Sequence, residues 1–285
     1  MSTPPFFDLP PCARTARVPA ARGELAALVA SPTGRVGAAP ALLVPGFTGS
    51  KEDFIAVLAP LVEAGHQVVA IDQRGQFESP GDGDPSAYDI KVLAEDVVAV
   101  ARHLGEPVHL VGHSFGGLVA RAAALAEPAA LRSLTLMSCG PAAIPHPAAS
   151  NLELIAQALP VMDIESIWVA KRQLEAQTEP VPPPPDVEVW LHRRFVANDP
   201  VALLRMAEQL LTEEDRLDEL ATVDLPVLVV YGEADDAWPP VSQAVMARRL
   251  GARVQAITGA GHSPAAERPA ETAAALVSFW SNIQG

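Results

Sequence analysis

The chain has 285 residues, of which 49% are apolar and 19% charged, with a formal charge of −14. That length suits one large α/β domain, or a core with one modest insertion, and the composition is too apolar for a disordered chain. Clustered Lys and Arg are what neutralise phosphate, so the acidic balance argues against nucleic acid and anionic lipid as partners.

Residues 1–17 carry early prolines and Asp8 but no basic segment followed by an apolar run, so no secretory signal is read and a cytoplasmic location is expected. No apolar stretch is long enough to span a bilayer. Cys12 and Cys139 lie far apart and indicate neither a disulfide framework nor a zinc site. Residues 15–31 alternate weakly around Arg22-Gly23-Glu24, which predicts an antiparallel hairpin at a sheet edge. Short apolar runs follow at 41–44, 67–71, 108–111, 131–137, 227–231 and 253–257, the pattern of parallel strands buried on both faces. Helical patterns lie among them at 53–64, 90–104, 118–126, 241–250 and 271–280. Alternating strand and helix predicts an α/β fold, a mostly parallel sheet with helices on both faces.

The alternation stops between Cys139 and Asp224. Helical segments are expected at 151–158, 164–176, 187–196 and 201–211, with Val181-Pro182-Pro183-Pro184-Pro185 as a stiff spacer. This predicts a core of residues 1–140 and 223–285 and an all-helical lid at 141–222, inserted after the sixth strand at the end of the sheet that carries functional loops. Met162, Trp168, Trp190, Phe195 and Met206 are candidates to line a cavity beneath it, or to glue its helices to the core.

The strand at 108–111 runs into Gly112-His113-Ser114-Phe115-Gly116-Gly117 and then into a helix. A Gly-x-Ser-x-Gly turn of this kind lifts the serine hydroxyl clear of the sheet, because the glycines permit close backbone approach, and the helix N-terminus then faces the reacting group. A serine needs a base, and an imidazole serves best when a carboxylate fixes its tautomer. His262, in Gly259-Ala260-Gly261-His262-Ser263-Pro264 after the last strand, is the candidate base, ahead of His66, His103, His109, His113, His146 and His192. The acid is expected after the strand at 227–231, in Gly232-Glu233-Ala234-Asp235-Asp236-Ala237-Trp238-Pro239. Asp235 is favoured, with Asp236 next and Glu233 as a solvated turn residue. An oxyanion formed at this serine needs preorganised N–H donors. They are assigned to the backbone of Phe115, in the elbow, and of Phe47, in Pro45-Gly46-Phe47-Thr48-Gly49 after the strand at 41–44, with the Thr48 hydroxyl as a third candidate.

With these residues the chain resembles the α/β-hydrolase superfamily, in its lidded esterase and lipase-like branch, over nearly all its length except the leader. The motifs are the serine elbow, Ile71-Asp72-Gln73-Arg74-Gly75 after the fourth strand, the Gly-x-x-Asp loop at 232–235 and the Gly-His loop. There are two departures: Pro45-Gly46 stands where many relatives have His-Gly, and Arg74-Gly75-Gln76-Phe77-Glu78-Ser79 where many read Arg-Gly-x-Gly-x-Ser. The resemblance implies the α/β-hydrolase fold and a carboxylesterase-like serine hydrolase with Ser114, His262 and Asp235 as its triad, no metal or other cofactor, and a small-molecule ester or related acyl substrate. Relatives that cleave epoxides or carbon–halogen bonds use an aspartate nucleophile, which sets this chain apart from them. A thioesterase, lactonase, aminopeptidase or perhydrolase would use the same triad, and a non-catalytic ligand receptor would keep the fold. An aminopeptidase would draw on Glu153, Asp163, Glu165 and Glu188 to hold a substrate amine. A dinucleotide cofactor is disfavoured, since no Gly-x-Gly-x-x-Gly loop follows the first strands.

Overall fold

The computed structural model describes residues 2–34, 37–178 and 183–283. Strands β1 (Ala13–Ala20) and β2 (Gly23–Ala30) form the expected hairpin, with Ala20 facing Gly23. Six further strands complete the sheet: β3 (Ala41–Val44), β4 (Val68–Ile71), β5 (Val108–His113), β6 (Leu131–Met137), β7 (Val227–Gly232) and β8 (Arg253–Ile257). Their order is β1-β2-β4-β3-β5-β6-β7-β8, and every pair from β4 to β8 is parallel, while β2 is antiparallel to both its neighbours.

Alternation along the central strands feeds two cores. Leu42 and Val44 of β3 face one side, with α2 (Ile90–His103) and α3 (Phe115–Ala126). Ala41 and Leu43 face the other, with α1 (Ile55–Glu63) and α11 (Pro269–Trp280); α9 (Pro240–Arg249) lies between the last two strands and α10 (Pro264–Glu267) just before α11. Both faces are covered, so these strands read as unbroken apolar runs. The chain passes from β3 to β4 on one side and then returns across β3 to β5 on the other. Loops leaving the C-terminal ends of β3 and β5 therefore diverge to opposite faces and open a crevice between them.

Helices α4 (Ala149–Ala158), α5 (Ile164–Thr178), α6 (Pro185–Val196), α7 (Pro200–Thr212) and α8 (Leu217–Leu220) lie between β6 and β7. No strand interrupts them among the described residues. They bury a small cluster of their own, Leu159, Ile167, Trp168, Leu191, Phe195 and Leu203. The single turn of α8 is too short for a 3.6-residue period to show in sequence. The expected helix at 53–64 opens instead as a 3-10 turn, Lys51–Phe54, before α1. Asp53 is drawn inward there, accepting from the Ser50 N–H at 3.3 Å and pairing with Arg194 at 2.6 Å. Of the proline spacer, Val181 and Pro182 lie outside the described residues, and Pro185 sits in the first turn of α6, where it is tolerated. No helix among the described residues is long and apolar enough to cross a membrane.

Buried beside α11, His109 of β5 hydrogen-bonds the Ser133 hydroxyl at 2.8 Å and stacks on Trp280 with centroids 4.8 Å apart. Burial, reinforced by His66, pushes its pKa down to about 3. An unfolded histidine binds its proton near pH 6.5, so the stability held by this neutral ring is complete above that value. It is lost as pH falls toward 3, at up to about 1.4 kcal/mol per pH unit. The melting temperature is expected to drop as pH is lowered from 6.5 to 4.5, and to drop less steeply in His109→Gln. Parallel melting curves for the two proteins would contradict this account.

Candidate active site

Strand β5 ends at His113, and the next residue turns the chain back. Ser114 has φ 55 and ψ −122, a conformation that a residue with a Cβ seldom adopts and that costs about 1–3 kcal/mol. Its N–H donates to the Met137 carbonyl at 2.9 Å, and its own carbonyl accepts from the Gly117 N–H at 2.8 Å as α3 begins. A Cβ on Gly112 would overlap the Gly116 carbonyl, and one on Gly116 would overlap the carbonyl oxygens of Val44 and Pro45. Glycine is thus required at both positions for the elbow to press against the end of β3.

The structure brings Ser114, His262 and Asp235 into one hydrogen-bonded line. His262 Nε2 lies 3.0 Å from Ser114 Oγ, and His262 Nδ1 lies 2.9 Å from Asp235 Oδ1. A carboxylate only accepts, so Nδ1 carries the proton and Nε2 is left free to receive one from the serine hydroxyl. Asp235 follows β7, and its side chain is fully buried. Burial by itself raises a carboxyl pKa. Here the hydrogen bonds from His262, from Gln243 Nε2 at 2.8 Å and from the Ala237 N–H at 3.0 Å outweigh it and hold the acid below its ordinary range. Asp236 and Glu233 are exposed, Glu233 accepting from the Thr258 hydroxyl at 3.1 Å.

The ring of His113 meets the same line from behind, where its Nε2 donates to the His262 backbone carbonyl at 2.8 Å. Burial, with His262 close by, pushes its pKa down to about 3, so it is a neutral donor at ordinary pH. The remaining histidines are engaged elsewhere or exposed: His66 with the Ala39 carbonyl, His109 with Ser133, His146 with Glu153, His192 with Glu165, and His103 at the exposed end of α2.

Ser114 and His262 open into a pocket of about 240 Å³ whose walls include Gly46, Phe47, Thr48, Asn151, Ile155 and Lys171. Phe115 is the first residue of α3, so its N–H has no helical carbonyl to meet. The Thr48 hydroxyl donates to the Phe47 carbonyl at 2.7 Å. Asn151, Ile155, Lys171 and Glu175 also border a second cavity, of about 510 Å³ between α4 and α5, whose other walls include Leu154, Ala158, Met162 and Leu174. Of the apolar residues expected beneath these helices, Met162 borders that cavity. Trp168, Phe195 and Met206 are packed in cores, and Trp190 stacks on Phe7 at 4.6 Å.

Glu153, Asp163, Glu165 and Glu188 do not line the serine pocket, whereas Asp53 and Glu175 do. Lys171 and Glu175 stand one helical turn apart and read in sequence as an ordinary solvated pair, so no signal marked them. Gln243 was equally silent, since its link to Asp235 joins a helix to a loop. Phe77, where many relatives have glycine, adopts φ 39. Its ring is held by the Lys51 ammonium at 4.7 Å from the centroid and by the edge of Trp190.

Residues 41–275 match the model of the alpha/beta hydrolase family. The chain belongs to that family. It is 29% identical over 218 residues to the pimeloyl-[acyl-carrier protein] methyl ester esterase of Aeromonas hydrophila, a match covering 74% of this chain and 84% of the relative. A stretch of 85 residues is 34% identical to the proline iminopeptidase of Clostridioides difficile, covering 30% of this chain and 29% of that protein. Among solved structures, the fold is similar to that of a thermophilic esterase from Thermogutta terrifontis, with TM-score 0.74 and 24% identity, covering 96% of this chain and 100% of that one.

Because a Cβ on Gly116 meets backbone rather than a movable side chain, Gly116→Ala is expected to lose at least about 3 kcal/mol in denaturant unfolding. A loss below about 1 kcal/mol would mean that the elbow does not depend on this contact.

Proposed function

We propose that the protein is a serine hydrolase of carboxylic esters, working through an acyl-enzyme. The single observation that carries this reading is the continuous line of hydrogen bonds from the Ser114 hydroxyl through His262 to a buried Asp235. In this reading Ser114 Oγ attacks the ester carbonyl as His262 Nε2 takes its proton, and Asp235 steadies the imidazolium. The oxyanion is received by the N–H groups of Phe47 and Phe115. His262 then protonates the departing alcohol, and water, deprotonated by His262, attacks the acyl-enzyme and releases the acid.

Helices α4 to α8 act as the lid. The two adjoining cavities favour a small-molecule ester with one compact end at Ser114 and an apolar arm running between α4 and α5. The four acids expected to hold a substrate amine lie outside the serine pocket, and the two that line it, Asp53 and Glu175, are already paired with Arg194 and with Lys171 and Arg172, so the aminopeptidase reading has less support than the ester one.

A fluorophosphonate probe is expected to label the wild-type protein at Ser114. Ser114→Ala should lower ester turnover by at least about 10³-fold, and Asp235→Asn by about 10⁴-fold. An unlabelled wild-type protein would sink the mechanism. Ala170 borders the outer cavity from an exposed position on α5, so filling that space need not disturb a core. Ala170→Trp is expected to reduce kcat/KM for a long-chain nitrophenyl ester by about tenfold, the effect of losing a few methylene contacts, and to leave the acetate ester unchanged. Equal losses on both esters would place the arm elsewhere.

A further inference from the structure

The N–H proposed as the second oxyanion donor belongs to the peptide that joins Gly46 to Phe47. This peptide is planar and trans, so its carbonyl points the opposite way from its N–H, and whatever fixes one fixes the other. The Gly46 carbonyl accepts two hydrogen bonds, from the Gly49 N–H at 3.0 Å and from the side-chain amide of Gln76 at 2.8 Å. Gln76 is fully buried in the turn after β4. Its amide can sit only one way round: Oε1 faces the Gln73 N–H at 3.3 Å, and a flip would set that oxygen against the Gly46 carbonyl oxygen. The neighbouring Gln73 side chain donates to the Pro45 carbonyl at 2.9 Å, one peptide earlier.

We infer that Gln76 is a positioning residue for the oxyanion hole, holding and polarising the Gly46–Phe47 peptide so that the Phe47 N–H is aimed at the developing charge. This inference rests on the ester-hydrolase reading of the site. A donor on the carbonyl draws electron density toward oxygen and strengthens the N–H at the other end of the same amide. The Gln76 contact acts without touching substrate. Its loss therefore weakens transition-state binding and leaves ground-state binding intact.

The test compares Gln76→Met, which keeps the length and loses the donor, Gln76→Leu, which keeps apolar bulk and loses the amide, and Gln73→Met as a matched loss one peptide away. Removing an oxyanion donor outright costs about 10²–10³-fold in kcat, so misaiming one through Gln76 is expected to lower kcat by about tenfold with KM within about twofold. Fluorophosphonate labelling of Ser114, whose adduct places an oxygen in the same hole, should slow by the same factor. Gln73→Met should lose clearly less. If either folded Gln76 variant keeps the wild-type kcat and labelling rate, the inference is overturned. It is overturned as well if the loss lies in KM alone, or if Gln73→Met matches the loss and loop stiffness accounts for everything. These outcomes all presuppose a wild-type protein that labels at Ser114. Failure to label removes the hydrolase reading and this inference together.

Discussion

Backbone touches backbone where the turn after β5 meets the end of β3, with Gly112, Gly116 and the Val44 and Pro45 carbonyls packed too closely for any side chain between them. The sheet order places this contact at the crevice between β3 and β5, where successive connections leave for opposite faces. Pressing the two loops together holds Ser114 in its unfavourable φ, and it also brings Phe47 to the pocket that Ser114 lines. Loops after β7 and β8 then need only reach across the sheet edge to present Asp235 and His262. The strain is borne by regular structure on either side, a six-residue strand and a twelve-residue helix.

Irregular loops around such a crevice have few backbone partners of their own, and buried ion pairs do the tying. Lys51, directly after the Phe47 loop, is enclosed by Glu52, Asp72 and Glu78, each at 2.9 Å. Burial alone would favour the neutral amine, but the carboxylates more than reverse this and raise its pKa. Arg74 pairs with Asp96 at 2.8 Å behind the same turn. The helices between β6 and β7 are pinned likewise, through Arg194 of α6 to Asp53 at 2.6 Å and through Arg121 of α3 to Glu213, just past α7, at 2.6 Å. Such pairs add little net stability compared with apolar packing, yet removing one partner costs about 3–5 kcal/mol, so they specify where a segment sits. The proposed lid is therefore anchored near both its third and its last long helices.

The parts of this arrangement that were legible in sequence are those written in local patterns. Buried parallel strands read as short apolar runs, the elbow as two glycines around a serine, and Asp235 and His262 as residues in loops after consecutive strands. Long-range polar contacts left no such mark. Gln243 meets Asp235 across eight residues, His113 meets His262 across the sheet, and Gln76 meets Gly46 from a different loop. The 3-10 turn at Lys51–Phe54 also went unread; Asp53 there is held both locally, by the Ser50 N–H, and from a distance, by Arg194 of α6. Among the cavity candidates, burial separated packing from lining, and a list of apolar residues contains no information on which helix face meets the core.

The charge pattern around His262 follows from one requirement of the proposed mechanism. An imidazole that must accept a proton at neutral pH is helped by a carboxylate at one nitrogen and hindered by any cation nearby. Asp235 supplies the first condition, held below its ordinary range with the help of two further donors, Gln243 and the Ala237 N–H. His113 satisfies the second in a less obvious way. Its ring lies 5.1 Å from that of His262, close enough that a charge there would oppose protonation of the base. Burial keeps it neutral, and its single useful proton goes to the His262 backbone carbonyl, fixing the loop without adding charge. A lysine or arginine donor would hold the same carbonyl but would set a permanent positive charge against the imidazolium. The second histidine of the pair is thus best understood as a neutral clamp, and its value to the site lies in the charge it does not carry.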